Sequence, residues 1–456
     1  MARIAGLAIL FMAALIGCKK TEPSPVTPEP HQSIFQWANH VGTDEGGQSS
    51  SGIGVDGIGN SVAVGLFSGG ARFDSIYLNS SVGSVFIVKY DPAGTVLWAQ
   101  KSLSTGMSSA NGVSVDVAGN IALTGSFHSS VTIGGLTINT GSTSRFFLYK
   151  LDPNGNAVWA RAPEITWKCY AGKPSIDNAG NTYLAGEFAG TITLDTATMT
   201  AAGSWAAFFA KYDPAGNLLW ARGSKLSGYA SATAIGADSK GATYVAGAFT
   251  GVVSFSDSVI AADVLTSGFL LRLDSAGNVS WAKKIISPGA PYDMAVDPEG
   301  NSYLVGTFDS YADLGATSLS GGSSAALFLV SYDSEGNLRW ARSLGGYSSS
   351  RPRIGLNERG NCFVTGGFYQ SMNFGTIAFS STLGDFFVCE CTSSGQFSWA
   401  RRFGGSIAAS FGHGVAADHS NQCFVIGVYQ RDLDLDGIKL NSKGGTAFFI
   451  AKLLAQ

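Results

Sequence analysis

Phe208-Phe-Ala-Lys-Tyr-Asp-Pro-Ala-Gly-Asn-Leu-Leu-Trp-Ala221 decides the fold. An apolar run ends at Asp213-Pro-Ala-Gly216, and a second apolar run follows. Pro presets φ at the second turn position, and Gly is free to take φ > 0. The segment therefore reads as two strands joined by a tight turn. The same turn recurs at Asp91-Pro-Ala-Gly94, Asp152-Pro-Asn-Gly155, Asp274-Ser-Ala-Gly277 and Asp333-Ser-Glu-Gly336. The Trp-Ala pair that closes it recurs at Trp37, Trp98, Trp159, Trp220, Trp281, Trp340 and Trp399, at intervals of 61, 61, 61, 61, 59 and 59 residues. A period that regular means one supersecondary unit repeated along the chain.

Two further strands belong to each unit. Ile235–Asp238 is a short apolar strand ending in Asp-Ser-Lys-Gly, and Thr243–Phe249 is the next. Counterparts of the latter end in Gly-x-Phe or Gly-x-Tyr at Phe67, Phe127, Phe188, Phe308 and Tyr429, with Gly-Gly-Phe at Phe368. Between the second and third strands lies an extra hairpin, clearest as Val131-Thr-Ile-Gly-Gly-Leu-Thr-Ile138, two alternating runs joined by Gly-Gly. No window after the leader has a helical apolar period. Four antiparallel strands per unit predict an all-β chain, a seven-bladed β-propeller with blades of about 60 residues. The ends agree. Ile34–Ala38 is a fourth strand without a third, and Phe448–Leu453 is a third without a fourth. Pairing them closes the ring and hides both edges. A β-solenoid, the alternative architecture, needs no such complementary ends.

The N-terminus is a different region. An apolar run from Ile4 to Ile16 is too short to span a bilayer and reads as a signal-peptide core. It ends in Leu15-Ile-Gly-Cys18, which resembles the bacterial lipobox. That resemblance implies cleavage before Cys18, acylation of Cys18 and a mature chain of 456 − 17 = 439 residues. Lys19-Lys20, without Asp at the second position, implies the outer membrane or cell surface of a bacterial envelope. Residues 21–30 are a Pro-rich, extended tether. The expected organisation is a leader over 1–17, a lipidated Cys and tether over 18–33, and the propeller over 34–456.

The repeat resembles the SBBP-type seven-bladed β-propeller family of bacterial surface proteins. The carrying motifs are Asp-x-x-Gly-Asn-x-Tyr-x-x-Gly-x-Phe at Asp177–Phe188 and Asp297–Phe308, and Phe-x-x-Lys-Tyr-Asp-x-x-Gly-x-x-x-Trp at Phe86–Trp98 and Phe208–Trp220. The likeness runs over residues 34–453 and implies a fold, not an activity. One unit departs from it, with Glu390 for Lys, Cys391 for the aromatic and Thr392 for Asp.

Composition narrows the function. Net charge is −3 and charged residues are 13% of the chain, so no basic surface for nucleic acid is expected. No cofactor and no metal site is expected. Asp432-Leu-Asp-Leu-Asp-Gly437 begins like a calcium loop, but Lys443 stands where a bidentate Glu is required. In register it is strand plus turn. The five His (His31, His40, His128, His413, His419) lack metal spacing, although His40 and His413 fall in successive inter-blade connections. Beyond Cys18 the cysteines number five (Cys169, Cys362, Cys389, Cys391, Cys423), so at least one is free. A Cys362–Cys391 bridge across paired strands and a set of small packed core residues both fit.

In this strand order the uniform Asp-x-x-Gly turns share one face. The other face carries the inter-blade connections, which vary. They hold Trp167 and Tyr170, Tyr229, Tyr292, and Tyr347 with Arg351 and Arg353. Aromatic and Arg side chains are common recognition anchors. These seven residues are the expected ligand site, for a glycan or a surface protein; the same rings would also serve as caps on blade ends. The alternative is a glycan hydrolase or lyase with two carboxylates at the channel mouth. Only Asp44, Glu45, Glu164 and Asp293 are available in the connections, which favours binding without a catalytic residue.

Overall fold

A computed structural model describes residues 35–41, 47–225, 228–263, 265–322, 325–347, 350–404, 409–418 and 420–454, the side chains of 347, 443 and 444 excepted. The leader, Cys18, the tether, His31, Asp44, Glu45 and His419 lie outside them.

The strands are antiparallel and fall into four-stranded groups. In the first, Gln48–Val55, Ser61–Phe73, Ile76–Tyr90 and Val96–Lys101 pair in chain order. The innermost strands of the next groups are Ser108–Val115, Lys168–Ala171 with Ser175–Ile176, Ala230–Ala237, Ala290–Val296, Arg353–Leu356 and Ser410–Ala417. Each lies against the innermost strand of the next group, and Ser410–Ala417 lies against Gln48–Val55. The group of Ser410–Ala417 takes its outermost strand from the other end of the chain: Phe35–Val41 pairs with Ile438–Leu454, His40 opposite Phe449 and Val41 opposite Phe448. This is a β-propeller topology.

The extra hairpin takes two forms. In four groups it is the distal half of the second and third strands, continuous through a register shift such as that between His128 and Ser130. In the other three it is a separate two-stranded piece: Thr191–Leu194 with Ala197–Thr200, Val252–Phe255 with Ser258–Ala261, and Tyr311–Asp313 with Ser318–Ser320.

The recurring turn and the recurring Trp form one joint between neighbours. The indole Nε1 of Trp159 donates to the Pro214 carbonyl in the next group's turn at 3.0 Å, and Trp37, Trp98, Trp220, Trp281 and Trp340 do the same to Pro92, Pro153, Ser275, Ser334 and Ser393. Gly216 of that turn has φ of +85° and lies under the ring, where an added Cβ would fall 2.6 Å from Trp159. Glycine is thus required twice, by conformation and by contact. The Gly of Gly-x-Phe has a separate cause: a Cβ on Gly65 would sit 2.0 Å from the Ser49 carbonyl, where the innermost strand bulges inward.

The described cysteines are all free and buried. Cys362 and Cys391 are opposite one another across the pair, as the strand reading requires, but no bridge joins them. They pack with Cys389 among apolar side chains.

Candidate functional site at the mouth of the channel

The starts of the innermost strands line a cavity of about 660 Å³. Four of the expected site residues line it: Tyr170, Tyr292, Arg351 and Arg353. They come from three different groups and meet only through the fold. Two local breaks in the strands aim the charges. In the third group Pro174 cannot donate to a ladder, so the innermost strand stops at Ala171 and restarts at Ser175. Lys173 sits in that gap and lines the cavity. In the sixth group Pro352 delays the strand to Arg353, which pairs with Thr365. Arg351 therefore stands ahead of the sheet, exposed, with its guanidinium 5.4 Å from the Tyr292 ring centre.

Glu187 is the carboxylate on this wall. It lies opposite Tyr170 in the strand pair, and its Oε2 accepts a 3.0 Å bond from the Tyr229 hydroxyl. Burial first, and then the Glu187 charge, raise the Tyr229 pKa, so the phenol stays a donor. Thr307 Oγ1 donates to the Tyr292 hydroxyl at 3.2 Å. Asn111 Nδ2 donates to the Ala171 carbonyl and Thr233 Oγ1 to the Pro291 carbonyl, each at 2.9 Å. The last two bonds tie successive innermost strands together. The lining thus carries Lys173, Arg351 and Arg353 against Glu187 alone.

A second cavity of about 320 Å³ lies deeper, with Lys173 shared between the two. Asp293 is buried there. Its Oδ2 accepts from the Ile354 N–H at 3.1 Å and is 4.0 Å from Lys173 Nζ. It serves as a staple between strands below the mouth.

Several expectations change. Trp167 does not line the cavity; it is exposed beside it, on Trp205. Tyr229 stands behind the wall and positions Glu187. The backbone of Tyr347 ends a strand paired with Tyr369, because the connection there is an extended strand rather than a loop. Glu164 is exposed on a short strand pairing with Thr193, away from the cavity lining. The two histidines separate: His413 is on an innermost strand and lines the cavity, whereas His40 is on an outermost strand beside the Tyr429 hydroxyl, 2.9 Å away. Glu187, Lys173 and Trp205 were not anticipated. A signal existed for two of them. The middle residue of Gly-x-Phe is Leu66, Ser126, Ala248, Thr307, Gly367 or Val428 elsewhere, so Glu187 is the sole charge in that series. Trp205 stands where the other units have Gly83, Ser144, Thr266, Ala325, Gly384 and Thr446.

No family model matches the chain. A stretch of 112 residues is 30% identical to an uncharacterized WD repeat-containing protein of Acanthamoeba polyphaga mimivirus; it covers 23% of this chain, and the chain spans 8% of that protein's length. Among solved structures, the WD40 β-propeller domain of Doa1 is similar with a TM-score of 0.47 at 10% identity, covering 92% of this chain and 97% of that one. Kuenenia stuttgartiensis hydrazine synthase gives 0.46 at 10% identity, covering 85% and 94%. Virginiamycin B lyase from Staphylococcus aureus gives 0.44 at 10% identity, covering 92% and 99%.

His413 supplies a pH prediction for this site. Its Nδ1 donates to the Ser50 carbonyl at 3.0 Å. Burial foremost, with Arg353 nearby, lowers its pKa below 6.5, against the pull of that bond. The unfolded chain therefore takes up the proton first. The contribution of neutral His413 is full above the unfolded value and is lost as pH falls below it. Between pH 7 and pH 5 the unfolding midpoint of the wild type should fall further than that of His413→Gln. Equal losses would contradict the assignment.

Proposed function

We propose that the chain is a seven-bladed, ring-closed β-propeller of the SBBP-repeat type that binds a glycan or a protein at its channel mouth, held on a bacterial envelope surface by lipid on Cys18. One observation carries the binding reading: a preformed cavity large enough for a small ligand gathers two Tyr, two Arg, Lys173 and Glu187 from separate strands. Hydrolysis of a glycan needs two carboxylates. Among the described residues one carboxylate, Glu187, lines the mouth, and this favours binding.

A glycan and surface-protein binding screen on the full chain tests it. Tyr292→Ala and Arg353→Ala should each weaken the ligand found by about tenfold or more, with stability changes under about 1 kcal/mol. Large losses of unfolding midpoint with no selective loss of binding would make these side chains caps and refute the site. The anchor rests on Leu15-Ile-Gly-Cys18 at the end of a signal-length apolar run. Cys18→Ser should move the protein from the detergent phase to the aqueous phase or stall its processing. Unchanged partitioning would remove the anchor.

A further inference from the structure

Three aromatic rings outside the repeat positions stack beside the mouth. Trp205 sits with Trp167 (centroids 6.3 Å apart, planes at 29°) and with Tyr170 (5.7 Å, 23°). Trp167 is 62% exposed and Tyr170 51%. Among the described residues Trp167 is the one Trp so exposed; every other Trp is buried or half-buried. Lys168 Nζ lies 5.9 Å from the Trp167 ring centre, yet the exposure of Trp167 and Tyr170 leaves apolar ring surface unburied. Such a row matches a ligand with repeated apolar faces and a polar rim. The apolar C–H face of a pyranose ring, edged by hydroxyls, has that form.

The cavity next to it has a charge surplus. Among the described residues, neither Arg351 nor Arg353 has a carboxylate within ion-pair distance. Glu187 is engaged by Tyr229, and Asp293 is engaged with the Ile354 N–H deeper in the channel. Unpaired guanidinium groups at a concave mouth suit planar anions such as carboxylate or sulfate. Tyr170 belongs to both features: it lines the cavity and stacks on Trp205.

We propose that the ligand is an anionic pyranose chain, its sugar faces on the Trp167–Trp205–Tyr170 row and its acidic groups at Arg351 and Arg353. This rests on the reading of the mouth as a binding site. The experiment is calorimetric titration of the full chain with four hexamers: oligogalacturonate, a heparin-derived hexasaccharide, cellohexaose and hexaglutamate. The first two distinguish carboxylate from sulfate as the source of the charge. At least one acidic sugar should bind, with cellohexaose and hexaglutamate weaker by about tenfold or more. Trp167→Ala and Arg353→Gln should each weaken the acidic sugar by about tenfold, Trp167→Phe should retain most of the affinity, and Tyr77→Ala, an exposed ring on a distant hairpin, should change nothing. Unfolding midpoints of all variants separate lost contacts from lost folding. Equal binding of cellohexaose would overturn the charge, equal binding of hexaglutamate would overturn the sugar, and an unaffected Trp167→Ala would overturn the aromatic row. If neither acidic sugar binds while another ligand binds in an Arg353-dependent way, this inference fails and the mouth site stands. If nothing in the wider screen binds, the mouth site fails as well.

Discussion

Deleting residues 35–41 is expected to destabilise the protein by about 5 kcal/mol or more, a large part of a typical folding free energy. The segment is seven residues long, but it supplies the whole outermost strand of its group. Its loss bares the edge of Ile438–Leu454. It also removes Phe35, which is buried against Phe403 at 4.9 Å, and the buried Val41. A buried Phe alone is worth about 3–5 kcal/mol. The Trp37 joint to the Pro92 carbonyl and the Asn39 bond to the Gly94 carbonyl go with it, so the first group loses two of its ties to the last. Denaturant unfolding of the truncated chain measures the effect. A peptide of residues 34–41 added in trans should restore part of the midpoint. An unchanged midpoint would mean that the strand is ornamental and that the ring does not depend on it.

Glu390→Lys is the second large effect, and it runs against the repeat. Five groups have a cation at this position: Lys89, Lys150, Lys211, Arg272 and Lys452. In the first group Lys89 Nζ meets Asp56 Oδ2 at 3.1 Å. Restoring the repeat residue would ordinarily be expected to stabilise. The structure explains why it should not here. Trp399 departs from the joint of the other Trp residues, and the group that follows it takes its outermost strand from the far end of the chain. Glu390 supplies the acceptor instead, 2.8 Å from Trp399 Nε1. Its other oxygen accepts from Asn361 Nδ2 at 2.8 Å. The usual Asp of the first turn is Asn357 in this group, so a Lys at 390 would lack the carboxylate that Lys89 finds in Asp56. The substitution removes the acceptor from one buried and one half-buried donor and places a buried cation beside Asn357 instead of the usual Asp, at a cost of about 3 kcal/mol or more. Glu390→Gln keeps an acceptor for the indole and should cost far less. Chemical unfolding of the two variants decides the matter; a Lys variant as stable as the wild type would contradict this account.

Glu390 also marks how far the sequence could be read. Its departure from the repeat was visible, but the reason was not, since Trp399 and Asn361 meet it only in the folded sheet. The cavity has the same character. Tyr170, Tyr292, Arg351 and Arg353 were legible because they stand in the segments where the repeat stops repeating. Glu187 and Trp205 lie within regular strand register, where only comparison across the units sets them apart. Trp167 and Tyr229 lie in the same neighbourhood without lining the cavity, one beside it and one behind its wall.

What the sequence alone determined is local and periodic: the Asp-x-x-Gly turns, the four strands per unit, the buried third strand, and the complementary strands at the two ends. Turn chemistry and strand burial act over a few residues, so they are written in consecutive positions. Only the tertiary structure decided the cavity of the candidate site. Its residues are separated by tens to hundreds of positions, and their side chains converge because each innermost strand is turned toward one channel by the strands packed on either side. Which cation stays unpaired, which carboxylate is held by a neighbour, and which ring remains in water depend on those distances between strands, and no pattern within one strand encodes them.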